Sequence, residues 1–207
     1  AVSERTLVVQ KIDVFNHIWP KPYFDALIEA TGEMQAITAR SGRVPMMTNL
    51  DRRFEVMDMF GEDYRQILSL AAPAPEAIAD PAKALELTKI GSDSMAELCA
   101  KYPERFPGFI GTASLTSGEA CVAECRRAVE NLGAVGMQIY TNVNGMPLDR
   151  PEFEPFFAYM AEVGKPVWMH PLRAQNFPDY ITEDRSEYEI WWTFGWPYET
   201  SAAMARL

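Results

Sequence analysis

The sequence predicts an α/β fold of the (β/α)8 TIM-barrel type, distorted and incomplete, with about five βα units. Three observations carry this expectation. Five short apolar runs rich in β-branched or aromatic residues recur, each followed by a loop and a helical pattern, as in a parallel sheet covered on both faces. The turn after the first run, "FNHIWPKPY", has no glycine, whereas an open doubly wound sheet places a glycine-rich phosphate turn there. The two histidines of the chain, His17 and His170, both fall at the C-terminal end of an expected strand, where a barrel gathers its chemistry.

The strands are expected at 8–15 ("VVQKIDVF"), 65–71 ("RQILSLA"), 106–114 ("FPGFIGTAS"), 133–141 ("GAVGMQIYT") and 164–171 ("GKPVWMHP"). Between the first and second lies an insertion at about 21–48, Gly- and Met-rich, a candidate lid or cap over the site. A helix follows with Asn49 as cap, Leu50, Phe54, Met57 and Met59 as its apolar positions and Gly61 as its stop. The next has Asp80 as cap, Pro81 in its first turn and Pro103 just past its end. A third runs from Ser117 to Gly133 with Cys121, Cys125, Val129 and Leu132 on a core stripe, and a fourth from near Pro151 to Gly164. Residues 1–207 show no linker or fixed-period repeat, so one partial barrel domain is expected. A full barrel typically takes ~250 residues. Five strands in 207 residues leave unpaired edges at the first and fifth.

A net charge of −10 argues against nucleic acid or an anionic membrane surface as partner. No run of about 18 apolar residues and no signal-peptide pattern is present, so a cytoplasmic location is expected. Three cysteines, Cys99, Cys121 and Cys125, fit reduced thiols, the latter two as buried small residues one helical turn apart.

The first strand raises a chemical question. Residues two apart share one face of a strand, so a second metal donor beside His17 would stand at position 15. The residue there is Phe15, which has no donor atom.

The motifs "IDVFNHIWP", "MDMFGEDYRQILS", "YPERFPGFIGTASL", "LGAVGMQIYTNVNGMPLD", "VWMHP" and "GWPYETSAAMARL" occur in this order. On them the chain resembles the amidohydrolase-related metal-dependent family that contains 2-amino-3-carboxymuconate 6-semialdehyde decarboxylase and the resorcylate-type benzoate decarboxylases. The family pattern for the first motif is I-D-x-H-x-H-x-x-P, or E for the first H. The resemblance implies a divalent metal, usually zinc, with His17 and His170 as ligands and Phe15 in place of a third. It implies a small-molecule carboxylate substrate, with Arg43 as a substrate-binding cation and Trp192 as a pocket wall. The family's catalytic histidine and metal-binding aspartate belong to strands after the "ETSAAMARL" helix, so the catalytic residues are unknown here and a fragment is expected. With two identifiable donors, weak or absent metal binding by this chain alone is expected. Of the nearby carboxylates, Asp13, Glu183 and Asp184, none is expected to complete the set.

Arg53 is expected at the surface or in an ion pair, and Arg173 near the pocket. The cluster Trp191, Trp192, Phe194 and Trp196 reads first as core or subunit interface. The expected function is a carbon–carbon lyase, a decarboxylase of an aromatic or unsaturated acid. A metal-poor partner subunit of a hetero-oligomer, or a relative with hydrolase, hydratase or oxygenase chemistry, is the alternative. The exposed edges predict a homo- or hetero-oligomer.

Overall fold

A computed structural model of the 207-residue chain describes residues 10–31 and 41–207. Val8 and Val9 of the first expected strand, and residues 32–40 of the expected insertion, lie outside the described residues.

Five parallel strands, β1 (Lys11–Asp13), β2 (Tyr64–Leu68), β3 (Gly108–Thr112), β4 (Gly136–Tyr140) and β5 (Val167–His170), pair in chain order. The sheet curls into half a barrel, and its two ends approach each other: the Trp168 indole N–H of β5 donates to the Val14 carbonyl just past β1 at 2.9 Å. β2, β3, β4 and β5 are shorter than their apolar runs, trimmed at one or both ends. β3 and β4 are buried at every position, as a strand with two neighbours and helices outside should be. β1 and β5 are not, which corrects the expectation of burial throughout. Each has a neighbour on one side only among the described residues, and Ile12 and Val14 are about half exposed (47% and 48%).

The connecting helices are α1 (Lys21–Thr31), α2 (Leu50–Asp58), α3 (Pro75–Ile78), α4 (Pro81–Lys101), α5 (Glu119–Arg126), α6 (Glu154–Val163), α7 (Ile190–Thr193) and α8 (Gly195–Arg206). The caps read from the sequence operate: Asn49 accepts from Arg52 N–H, and Asp80 from Ala82 and Lys83 N–H. Gly164 ends α6 in the left-handed conformation at φ 63°. α1 packs on α4 with Tyr23 and Leu27 fully buried, so this part of the insertion is core, not a cover.

Two boundaries differ from the sequence reading. The helix expected from Ser117 begins at Glu119, after a 3-10 turn at Leu115–Ser117, and its last turn, Arg127–Asn131, widens to a π-helix. Met59, expected on the apolar face of α2, is 81% exposed beyond the helix end. Cys121 and Cys125 are buried with their sulfurs 4.0 Å apart, as core residues. Among the described residues no helix is long and apolar enough to cross a membrane.

Candidate active site

Pairing between the first two strands continues past β1 through a bridge from Ile18 to Leu70. From Asp13 to Ile18 the chain takes five steps while β2 takes four, from Gln66 to Leu70. The surplus residue breaks the strand alternation in the segment 14–17, the way a bulge re-aims a side chain. His17 turns inward at the strand end, and His170, the last residue of β5, meets it. Their ring centroids are 4.9 Å apart. The structure thus brings together two histidines separated by most of the chain.

Both imidazoles are held at Nδ1. The Ser69 hydroxyl donates to the Asn16 carbonyl at 2.5 Å, so its oxygen accepts from His17 Nδ1–H at 3.0 Å. His170 Nδ1–H donates to the Pro171 carbonyl at 2.7 Å. Each ring is left with its lone pair on Nε2, the tautomer in which a metal-binding histidine is held by its outer partner. Burial, then the His170 and Arg53 charges, pull the His17 pKa down to about 3, against a backbone hydrogen bond at Leu70. Burial also lowers His170, against its bond to Pro171. Both rings are neutral at pH 7.

Phe15 stands against both of them, edge-on to His17 at 5.1 Å and stacked near-parallel to His170 at 6.1 Å between centroids. An apolar ring therefore flanks the pair where the sequence pattern would put a donor. The Asp13 carboxylate is committed elsewhere, accepting from Tyr64 Oη–H at 2.9 Å and Phe15 N–H at 3.1 Å. Among the described residues no group of three His, Cys, Asp or Glu side chains converges. The residues present fit a divalent metal as two nitrogen donors and supply no third, one short of the three protein ligands of a catalytic zinc.

Arg53 corrects the sequence reading. It is 3% exposed and makes no ion pair among the described residues; its guanidinium donates to Met46 O (3.1 Å), Asn16 Oδ1 (3.0 Å), Gln66 Oε1 (2.7 Å) and the His17 carbonyl. Burial lowers its pKa to about 10, with Asp13 opposing. The side chain ties the His17 turn to α2 and β2, a role hidden in a sequence that places Arg52 and Arg53 side by side.

The other expected site residues divide. Trp192 stacks on Trp196 at 4.7 Å, and Trp196 lies 5.7 Å from His170, so Trp192 is two rings from the pair. Arg43 is exposed before the 3-10 turn Pro45–Met47. Phe194 leaves the aromatic cluster and is 74% exposed. Glu183 and Asp184 lie exposed in the loop before α7. Arg173 lines a cavity of about 750 Å³ together with Trp191 and Trp196. That cavity opens among the segments after β2, β4 and β5. Glu199 of α8 accepts from Thr141 Oγ1–H and Asn142 Nδ2–H, both at 2.6 Å, and so pins α8 over the end of β4.

Parallel strands in chain order, curled into half a barrel with histidines at the C-terminal ends of the outer two, define an incomplete (β/α)8 barrel with its polar chemistry at the strand ends. The comparisons then narrow the class. The chain belongs to the amidohydrolase family, whose model matches residues 12–207.

It is similar to the gamma-resorcylate decarboxylase of Rhizobium sp. (strain MTP-10005), 37% identical over 131 residues, which are 58% of this chain and 38% of that protein. It is also similar to the 2-amino-3-carboxymuconate-6-semialdehyde decarboxylase of Dictyostelium discoideum, 33% identical over 130 residues, 62% of this chain and 34% of that one. The chain thus spans between a third and two fifths of the length of these relatives. A solved 2,6-dihydroxybenzoate decarboxylase in complex with 2,6-dihydroxybenzoate superposes with a TM-score of 0.71 at 26% identity, covering 96% of this chain and 61% of that one. A dihydroxybenzoic acid decarboxylase from Polaromonas sp. JS666, with bound manganese and the inhibitor 2-nitroresorcinol, has a TM-score of 0.63 at 27% identity over 80% of this chain and 50% of that one. A divalent metal is therefore found in this family, manganese in that case.

Proposed function

We propose that this chain is part of a metal-dependent decarboxylase acting on a small aromatic or unsaturated carboxylic acid, with His17 and His170 as two ligands of its divalent metal. The observation that carries the reading is the convergence of two neutral histidines, each anchored at Nδ1, at the strand ends of an amidohydrolase-family barrel. The relatives' names supply the reaction class and the aromatic acid. Zinc suits the two imidazole nitrogens and manganese is the alternative. A bound metal supplies a Lewis acid that polarises an oxygen of the acid. The chain's own residues hold the Nε2 lone pairs, keep both rings uncharged through burial, and wall the adjoining space with Trp192 and Trp196. Loss of carbon dioxide also needs a proton donor to carbon, and none is assigned here.

Calorimetric titration of the purified chain with zinc and with manganese tests the reading. Metal that binds and is lost in both His17→Ala and His170→Ala supports it; binding unaffected by either variant refutes the ligand assignment.

The second reading, a metal-poor subunit supporting an active homologue, is favoured by the Phe15 ring lying against both histidines. Metal content measured by mass spectrometry separates the two, since stoichiometric metal in the chain alone eliminates the second. Either reading includes self-association or association with a homologue through the exposed Ile12, Val14 and Phe15 edge. Sedimentation that stays monomeric at all concentrations and with any co-purifying partner removes that part. A cytoplasmic setting belongs to the same reading, supported by three free thiols.

A further inference from the structure

The cavity of about 750 Å³ that Trp196 lines, its ring 5.7 Å from His170, has the size of a small-molecule site. Its walls include Trp191, Trp196 and Phe177, with Asn144 and Gln175 as amides. Among the described residues Arg173 is the single charged one in the lining, in a chain of net charge −10. Among the described residues this arginine has no carboxylate partner. It donates weakly to the Pro178 carbonyl at 3.3 Å and lies 5.2 Å from the Phe177 ring centroid. Most other arginines with described side chains are paired with acids, including Arg52, Arg65, Arg105, Arg127 and Arg206.

The guanidinium is also positioned. The Trp196 indole N–H donates to the Arg173 carbonyl at 2.8 Å, fixing the backbone that carries it. Gly195 opens α8 against its side chain: a methyl group there would fall 2.5 Å from Arg173 Cδ and 2.9 Å from Nε. A side chain at this position would push the arginine aside, so glycine leaves it room where it stands. A partly buried guanidinium with an unfilled fork, facing a cavity with aromatic walls, is built for a planar anion.

We propose that this cavity binds a small aromatic carboxylate, with Arg173 as its anion clamp and Trp191 and Trp196 as walls. The choice of an aromatic acid rests on the decarboxylase reading; the need for an anion and the role of Arg173 do not. The Trp196 ring lines the cavity and lies 5.7 Å from His170, so the bound acid and the histidine pair share one wall.

Tryptophan fluorescence of the whole chain, titrated with benzoate and with uncharged benzyl alcohol in EDTA, tests the proposal without metal. Benzoate is expected to bind at least about tenfold tighter than benzyl alcohol, and Arg173→Gln to abolish that preference. Arg173→Lys keeps the charge without the fork and is expected to retain part of it. Gly195→Ala, which leaves the charge intact and displaces it, is expected to weaken benzoate several-fold. Equal binding of the two probes, benzoate binding undiminished in a folded Arg173→Gln variant, or no benzoate binding at all in EDTA overturns the clamp. An Arg173-dependent benzoate site in a chain that neither holds metal nor forms part of a decarboxylase leaves the clamp standing and removes only the decarboxylase reading.

Discussion

Glu76 on α3 is 3% exposed, and neither carboxylate oxygen has a hydrogen-bond partner beyond its own backbone N–H. Its surroundings include Tyr23 and Tyr140, both fully buried phenols whose ionisation is pushed up by burial, so neither supplies a positive charge. Burial raises the Glu76 pKa from 4.5 to about 7. Between those two values the folded chain keeps a proton that the unfolded chain releases, so this group's contribution to stability falls as pH rises through the window. Above pH 7 the full difference is lost, about 3 kcal/mol at 1.36 kcal/mol per pH step. Glu76→Gln keeps the shape and removes the titration. Urea unfolding from pH 4.5 to 8.5 should show the variant equal to the parent at the acid end and about 3 kcal/mol more stable at the alkaline end. The low-pH titration of His17 is common to both proteins and cancels in the difference. A difference that does not change with pH, or a variant less stable than the parent at pH 8.5, refutes the burial of an unpartnered carboxyl.

Arg53→Met removes four donated hydrogen bonds from buried or partly buried oxygens, among them the His17 carbonyl. A loss of ~3 kcal/mol in urea unfolding is expected; a loss below ~1 kcal/mol would mean that water replaces the guanidinium at no cost. Phe15→His places an imidazole against both histidines, where the parent has an apolar ring. Zinc affinity by calorimetry is expected to rise by more than about tenfold as a third donor is added, and an unchanged affinity would show that position 15 does not face the ion.

The alternation of apolar runs with capped helices was enough to read five parallel strands, because burial on both faces and helix capping are local demands written in residue types. Asn49 and Asp80 show this directly, each accepting the backbone N–H groups its position requires. The histidine pair was legible from the end-of-strand position of its members. Arg53 was not, since a guanidinium bound only by neutral oxygens depends on where Asn16, Gln66 and Met46 come to lie, and no spacing announces that. The π-turn at Arg127–Asn131 and the surplus residue between Asp13 and Ile18 were equally hidden, because each is an accommodation of one strand or helix to its neighbour. Arg173 stood close to His170 in sequence, and its unfilled fork became visible only once the cavity had walls.

The arrangement around His17 bears on which reading of the site is stronger. A histidine with only a packing role needs no fixed tautomer. Here Ser69 holds Nδ1, Asn16 orients Ser69, and Arg53 holds both Asn16 and the His17 carbonyl. The Ser69 and Arg53 side chains and the Asn16 carbonyl thus hold His17 in place, and His170 is anchored at the same ring nitrogen. Phe15 alone breaks the pattern, and it does so from a half-exposed position, 48% open, rather than from within the core. A ring so placed can be replaced without rebuilding the turn, so the support for a metal centre is intact where its donor set is not. That asymmetry favours a ligand role for the histidines over a structural one. Position 15 is therefore where a third donor would be added to the proposed histidine pair.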